Sequence, residues 1–180
     1  MNVTVELVNE DDAYIIKNVY PLYLHDLAEI YGNYPNEHGI FEESNEYRTL
    51  NDQYDIQNMW WQKPDALFPH LIRVDGRPAG FMMIASAPYC NKGIDYFVHE
   101  AFLLRPFRGK GIAEHSAVEL FERYKGKWVL FTNPSSETNQ RGQQFWRKTI
   151  RNYTNNNFIE EFGETFDGYK LIFRFENTME

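Results

Sequence analysis

The sequence predicts a single mixed α/β domain built around one central sheet. Three observations predict it. Apolar runs of strand length recur along the chain, and amphipathic segments of helix length separate them. The 180 residues suit one domain that is large enough to bury a proper core. A hydrophobic content of 43% with 17% aromatic residues places the chain among globular proteins rather than disordered ones.

The elements follow in order. Residues 2–8 alternate Val3, Val5 and Leu7 with polar neighbours, as a half-buried strand does. Asn9 and the acids at 10–12 read as a helix entry, with negative charge at the positive end of the helix dipole. A helix is expected from about Asp12 to Ile30, interrupted or bent near Pro21. From Tyr31 to Pro64 the chain reads as irregular, with a second helical stretch around Ser44–Trp60. His70–Val74, Asp75-Gly76 and Arg77–Ala85 form a hairpin, because Asp-Gly supplies the positive φ angles of a two-residue turn. Asp95–Leu104 is a long strand. Ala113, Ala117, Leu120, Phe121 and Tyr124 recur at helical spacing and form one apolar face. Trp128–Phe131 is a short buried strand, and Asn139–Tyr153 is a helix. Phe158–Phe162 and Tyr169–Phe175 close the chain as an antiparallel pair, with Tyr169, Leu171, Phe173 and Phe175 on one face. That makes about seven strands and about four helices in one domain over 1–180, without repeat or linker.

Composition excludes several function classes. No apolar run has the length of a membrane span, and the first residues lack the basic and apolar regions of a signal peptide. One cysteine, Cys90, leaves no internal disulfide framework. The expectation is a cytoplasmic protein, in which the sequons at Asn2 and Asn152 carry no meaning. The formal net charge of −8 lies entirely between Asp11 and Asp65, which hold 11 acidic and 3 basic residues. The same segment, 11–65, is rich in Tyr and Trp. An acidic, aromatic surface suits a cationic partner, although an ordinary solvated face has the same composition. Nucleic acid is not expected, since phosphate binding needs a basic stripe. The histidines show no metal-ligand spacing, so no metal site is expected.

The most informative stretch follows the long strand. Arg105, Arg108, Gly109, Lys110 and Gly111 lie between a strand end and a helix start. Glycine lets backbone N–H groups converge on a ligand. The helix N-terminus adds unsatisfied donors and partial positive charge, and arginine binds phosphate oxygens two at a time. The pattern points to a phosphate, and to pyrophosphate in particular. A basic surface loop with convenient glycines is the plainer alternative. The turn is neither a P-loop nor GxGxxG.

Arg108-Gly-Lys-Gly-Ile-Ala113 resembles the [QR]xxGx[GA] motif of the GNAT superfamily of acyl-CoA-dependent N-acetyltransferases. Asn139–Trp146 is similar to that family's second motif, Asn-x-x-Ala-x-x-Phe-Tyr. Asn139 and Phe145 match, Gly142 stands in for alanine, and Trp146 replaces tyrosine. The resemblance implies a mostly antiparallel sheet with a splayed central strand pair, and an acyl-CoA-binding core over 95–153. It implies acetyl-CoA as cosubstrate. The backbone of Leu103, Leu104 and Arg105 would pair with the pantetheine arm, and Arg108, Gly109, Lys110, Gly111, Ile112 and Ala113 would hold the pyrophosphate. Asn139 would bond the pantetheine amides, with Phe145 and Trp146 at the thioester. Asn139 could equally be a helix N-cap, and Phe145 and Trp146 could be core.

An alkyl ammonium has a pKa of about 10, so a base must remove its proton at neutral pH. Leu103 N–H could polarise the thioester carbonyl. Strand alternation puts His99 on one face with Phe97, Ala101 and Leu103, and Glu100 on the other with Val98 and Phe102. His99 is the favoured base. Glu100 is second, because a bulge would exchange the faces. Indole cannot act as the acid that a tyrosine at Trp146 would be, which leaves unaided thiolate departure or Tyr153, Tyr124 or Tyr96 as substitutes. The acceptor is expected to be a cationic primary amine over the 11–65 region, with Asp26, Glu29, Glu42 and Glu43 as candidate contacts. The second reading is a catalytically weak acyl-CoA-binding domain. The protein is expected to be a monomer or homodimer.

Overall fold

The structure, a computed structural model, describes residues 1–42 and 44–178. Seven strands form one sheet: β1 (Val3–Leu7), β2 (Leu67–Val74), β3 (Arg77–Ala85), β4 (Tyr96–Leu103), β5 (Lys127–Thr132), β6 (Ile159–Thr165) and β7 (Gly168–Glu176). Their spatial order is β1-β2-β3-β4-β5-β7-β6, and every neighbouring pair is antiparallel except β4 with β5. The helices are α1 (Ala13–Tyr31), α2 (Leu50–Gln53), α3 (Met59–Gln62), α4 (Ile112–Arg123) and α5 (Gln140–Tyr153). The fold class is the expected one.

Apolar residues fill both faces of the sheet. On one face Ile72, Met82, Ile84, Val98, Trp128 and Phe173 pack under α4 and α5. On the other, Leu71, Phe81, Met83, Phe97 and Ile172 pack under α1 and Trp60. Central strand β3 is buried continuously from Ala79 to Ala85, so its sequence reads as an unbroken apolar run rather than an alternation. Fully burying one such side chain is worth about 1.5–3 kcal/mol. The β2–β3 turn has φ of 50° at Asp75 and 76° at Gly76, as the Asp-Gly pair requires.

One local expectation is narrowed and another needs correction. Helix α1 runs through Pro21 without interruption. A proline inside a helix costs about 3 kcal/mol, but the buried residues Ile16, Val19, Tyr20 and Ala28 lie on both sides of it, and their packing holds the helix together. The helix ends at Gly32, whose φ of 71° suits a left-handed cap. The second helical stretch is shorter than expected and composite: α2, a 3₁₀ turn over Tyr54–Asn58, then α3. Thr49 and Asp52 form the capping box that starts it, so it cannot begin at Ser44. In the last hairpin Leu171, Phe173 and Phe175 are buried, but Tyr169 is exposed and stacks on Phe162.

Candidate active site

The central strand pair opens into a fork. β4 and β5 pair only through Tyr96, Phe97 and Val98 against Trp128, Val129 and Leu130. Beyond that point β4 continues to Leu103 and β5 to Thr132 without pairing to each other. Leu104 N donates to Ala79 O on β3 at 2.8 Å. Backbone groups alternate between strand edges, so those of Leu103 turn away from β3 and into the fork.

A bulge at the start of the fork overturns the alternation expected for β4. Met83 pairs with Glu100 and Ile84 with Val98, so His99 is the extra residue. Val98, Ala101 and Leu103 therefore pack on the α4/α5 face, while Phe97 and Phe102 pack on the α1 face. His99 and Glu100 both join the α1 face. The His99 ring lies 5.4 Å from those of Trp60 and Phe97, and Glu100 meets Tyr20 of α1.

Tyr20 Oη donates to Glu100 Oε1 at 2.6 Å, and Glu100 Oε2 is buried with no partner. Burial pushes the Glu100 carboxyl up to about 7, against the opposing pull of the Tyr20 bond. His99 Nδ1 lies 3.7 Å from Glu100 Oε1. Burial pulls the imidazole below its usual pKa, partly offset by Asp167. Burial and the Glu100 charge push the Tyr20 and Tyr23 hydroxyls well above 10; Glu42 adds to the effect on Tyr20, and Asp167 to that on Tyr23. Phe166, in the β6–β7 turn, packs on Phe97 and Phe131 at 5.6 and 5.5 Å. The next residue, Asp167, pairs with Lys170 at 2.9 Å.

Tyr20, Tyr23 and Trp60 fall in the acidic, aromatic segment that the sequence marks for a cationic partner, but sequence reasoning missed Phe166 and Asp167. The helical spacing of Tyr20 and Tyr23 was a usable signal. The turn at Phe166 and Asp167 had none, because only the sheet order carries it to the fork.

The glycine-arginine turn closes the far end of β4. Arg105–Phe107 forms a 3₁₀ turn, and Gly111 is the N-cap of α4, with no side chain capping the helix. Gly109 and Gly111 have φ of 74° and 76°, and a Cβ on either would meet nothing within 4 Å. Glycine is there for its backbone angles, and open space faces the helix N-terminus. Arg105 Nη2 and Arg108 Nη2 both donate to Asp26 of α1, at 2.8 and 2.5 Å. Arg108 Nε donates to Leu103 O at 2.6 Å. Lys110 Nζ donates to Pro106 O at 2.8 Å. Asp26 is therefore held by the turn, not free at the base of the fork.

On the opposite arm Asn139 is the N-cap of α5, yet its side chain does not cap the helix. Its Nδ2 donates to Thr132 Oγ1 at 2.7 Å and to Asn133 O at 2.9 Å, bracing the chain beyond β5. A Cβ on Gly142 would collide with Asn139 Oδ1, which explains glycine at a position where alanine was the family expectation. Trp146 is buried in the core, with the partly buried Phe145 against it at 4.7 Å. Tyr96 and Tyr124 pack together at 5.2 Å, and Tyr96 on Trp128 at 5.1 Å, at the closed end of the β4–β5 pair. Tyr153 packs on Phe121 and Phe175 beside that same tryptophan. None of these three tyrosines stands at the fork. Glu42 accepts from Gln53 Nε2 at 2.9 Å, and Glu29 is exposed on α1. Glu43 lies outside the described residues. Among the described residues there is no group of three or more His, Cys, Asp or Glu that could hold a metal, and no helix long and apolar enough to cross a membrane.

The forked strand pair, with a glycine turn leading into a helix, defines a known class. The sequence matches the acetyltransferase (GNAT) family over residues 25–150, and the chain belongs to that family. No curated protein matches the sequence. Among solved structures the chain is similar to RimL, a ribosomal L7/L12 alpha-N-protein acetyltransferase in complex with coenzyme A. That match has 13% identity and a TM-score of 0.66, covering 100% of this chain and 97% of that one. It is also similar to the PaiA N-acetyltransferase of Thermoplasma acidophilum in complex with coenzyme A (13% identity, TM-score 0.63, coverage 98% and 99%). A third is the aminoglycoside acetyltransferase AAC(6')-Ib with coenzyme A and kanamycin (18%, 0.60, 97% and 95%). At these identities the likeness establishes the fold.

Proposed function

We propose that this protein transfers an acetyl group from acetyl-CoA to a cationic primary amine. The observation that carries the reading is Glu100, a carboxyl group buried at the bulge of the forked strand, with one oxygen held by Tyr20 and the other unpartnered. The relatives' acceptors, an aminoglycoside and a protein α-amine, are consistent with it.

This chain's own residues fit the cosubstrate. Leu103 turns into the fork a backbone edge that pairs with no strand, its carbonyl covered by Arg108, beside Leu104 and Arg105. Arg108, Gly109, Lys110, Gly111, Ile112 and Ala113 offer charge and the uncapped amides of a helix N-terminus to a pyrophosphate. Asn139, on the β5 arm, orients the loop that faces it. Acetyl-CoA bound there supplies an activated acyl group on a thiol leaving group of pKa about 8.5.

The proton work falls to the chain. Glu100 Oε2 accepts a proton from the ammonium while Tyr20 fixes Oε1 and orients the carboxylate. A base near pKa 7 is matched to neutral pH. His99 becomes the secondary candidate, an imidazole 3.7 Å from Glu100 with a side chain 42% exposed and a pKa lowered by partial desolvation. The order of the two is the reverse of that drawn from strand alternation, and the bulge is the reason. Leu103 N–H polarises the thioester carbonyl in this reading. Among the described residues no tyrosine of α5 reaches the fork, so the thiolate departs without an acid from that helix. Trp60 and Tyr23 exclude water, and Glu42, Glu100 and Asp167 supply the negative charge a cation needs. A catalytically weak acyl-CoA-binding domain is not favoured, because a binding role needs no raised carboxyl in the fork.

Glu100→Gln is expected to lower kcat about 10²- to 10⁴-fold while acetyl-CoA binding, read by calorimetry, stays intact. An unchanged kcat would remove Glu100 as the base. Acetylation of spermidine against a neutral aromatic amine tests the acceptor class, and preference for the neutral amine would sink the cationic reading.

A further inference from the structure

We propose that Asp26 is a positioning residue for the phosphate end of the cosubstrate. It acts as an internal anion that keeps Arg105 and Arg108 folded over the mouth of the fork until a pyrophosphate replaces it. The inference rests on the acetyl-CoA reading above.

Both guanidinium groups of the turn converge on this one carboxylate, Arg105 through Oδ1 at 2.8 Å and Arg108 through Oδ2 at 2.5 Å. Planar guanidinium forks fit carboxylate and phosphate oxygens alike, so Asp26 occupies the arginines as a phosphate would. Arg108 does more. Its Nε bonds Leu103 O at 2.6 Å, and its guanidinium lies 5.3 Å from the Phe102 ring centre. One side chain thus caps the carbonyl that the fork would offer to pantetheine and closes the path along β4. Lys110 is turned onto Pro106 O. All three cationic side chains of the turn are engaged internally, so an incoming pyrophosphate must break these contacts, and its affinity is reduced by what they are worth. The Asp26 side chain is 18% exposed and those of Arg105 and Arg108 are 64% and 43% exposed. The arginines can therefore swing out while the carboxylate stays on its helix.

The test measures binding of CoA and of inorganic pyrophosphate by calorimetry to wild type, Asp26→Asn and Asp26→Glu. Asp26→Asn is expected to bind both roughly five- to tenfold more tightly, and Asp26→Glu to return to wild-type affinity. A residue that merely tethers α1 would change melting temperature without tightening pyrophosphate. Unchanged or weaker binding in a folded Asp26→Asn protein overturns the inference. If that variant does not fold, the Arg108 Nε–H resonance of wild-type protein provides the answer. It must shift on adding pyrophosphate, and a resonance that stays in place overturns the proposal. A wild-type protein that binds no CoA at all sinks the cosubstrate reading instead.

Discussion

Glu100 has a stability consequence as well as the chemical one proposed for it. Its folded pKa, about 7, lies above the ordinary carboxyl value of 4.5. The native state therefore holds a proton that the unfolded state has released. The Glu100 contribution to stability is fully present below pH 4.5, falls as pH rises, and is lost above about 7. Glu100→Gln is expected to raise stability at pH 8 by up to about 3 kcal/mol, with no difference below pH 4.5; urea melts at both pH values check it. In wild type, kcat/KM should fall as pH drops through about 7, because a protonated Glu100 cannot accept, and the variant's profile should lose that limb. At this scale the sequence placed His99 and Glu100 together on one strand, as the structure has them. The faces were wrong because the extra residue at His99 is set by pairing with β3, which no local pattern encodes. Asp26 was legible as an acid on a helix, but its arginine partners lie 79 and 82 residues away.

The fork depends on how closely β3 approaches β4. Gly80 pairs with Leu103, and a Cβ there would collide with Phe102 O and sit 2.9 Å from Leu103 Cα. Those are backbone atoms that cannot rotate away. Gly80→Ala is expected to destabilise the fold by about 2 kcal/mol or more and to weaken CoA binding by displacing Leu103; thermal melts and calorimetry check the two effects. Gly142→Ala meets only the end of the Asn139 side chain, but that amide is buried and bonded twice. Its expected effect is a local displacement of Asn139 and weaker CoA binding, with a smaller change in melting temperature. Most elements were legible from periodicity, and the Asp75-Gly76 turn from chemistry alone. The Ser44–Trp60 segment was overextended, because helix-compatible residues there carry no apolar face long enough to hold a single helix. The β4–β5 splay was expected only through family resemblance, since where a parallel pair stops is decided by strands far apart in sequence.

Across the whole molecule, two buried groups titrate in opposite senses. His70 is fully buried, its Nε2 3.0 Å from Tyr124 Oη and its Nδ1 unpartnered. Burial, with Arg123 nearby, pulls it down to about 3. Its contribution is complete above pH 6.5 and is lost as pH falls toward 3, while that of Glu100 is lost as pH rises. Between 4.5 and 6.5 the two slopes oppose. Glu100→Gln should therefore steepen the acid-side loss of stability, a change visible in melting temperature against pH. Charge acts at the same scale. The net −8 resides in residues 11–65, the segment that carries Tyr20, Tyr23 and Trp60. Raising ionic strength is expected to lower kcat/KM for a polyamine while leaving a neutral amine nearly unaffected, which steady-state kinetics at two salt concentrations would show.

The sheet order holds a consequence for synthesis. β7, the most C-terminal strand, is not at an edge: it inserts between β5 and β6. Its Lys170 reaches back to Tyr31 Oη at 2.8 Å, so the end of α1 is fastened by residues translated long after it. A nascent chain halted before Gly168 would carry the glycine-arginine turn and Glu100 but leave the edge of β5 unpaired, with Val129 and Phe131 on it. Such an edge recruits other strands. The ribosome therefore has to release nearly the whole domain before the sheet is complete, and a pause within β6 would leave the β5 edge open.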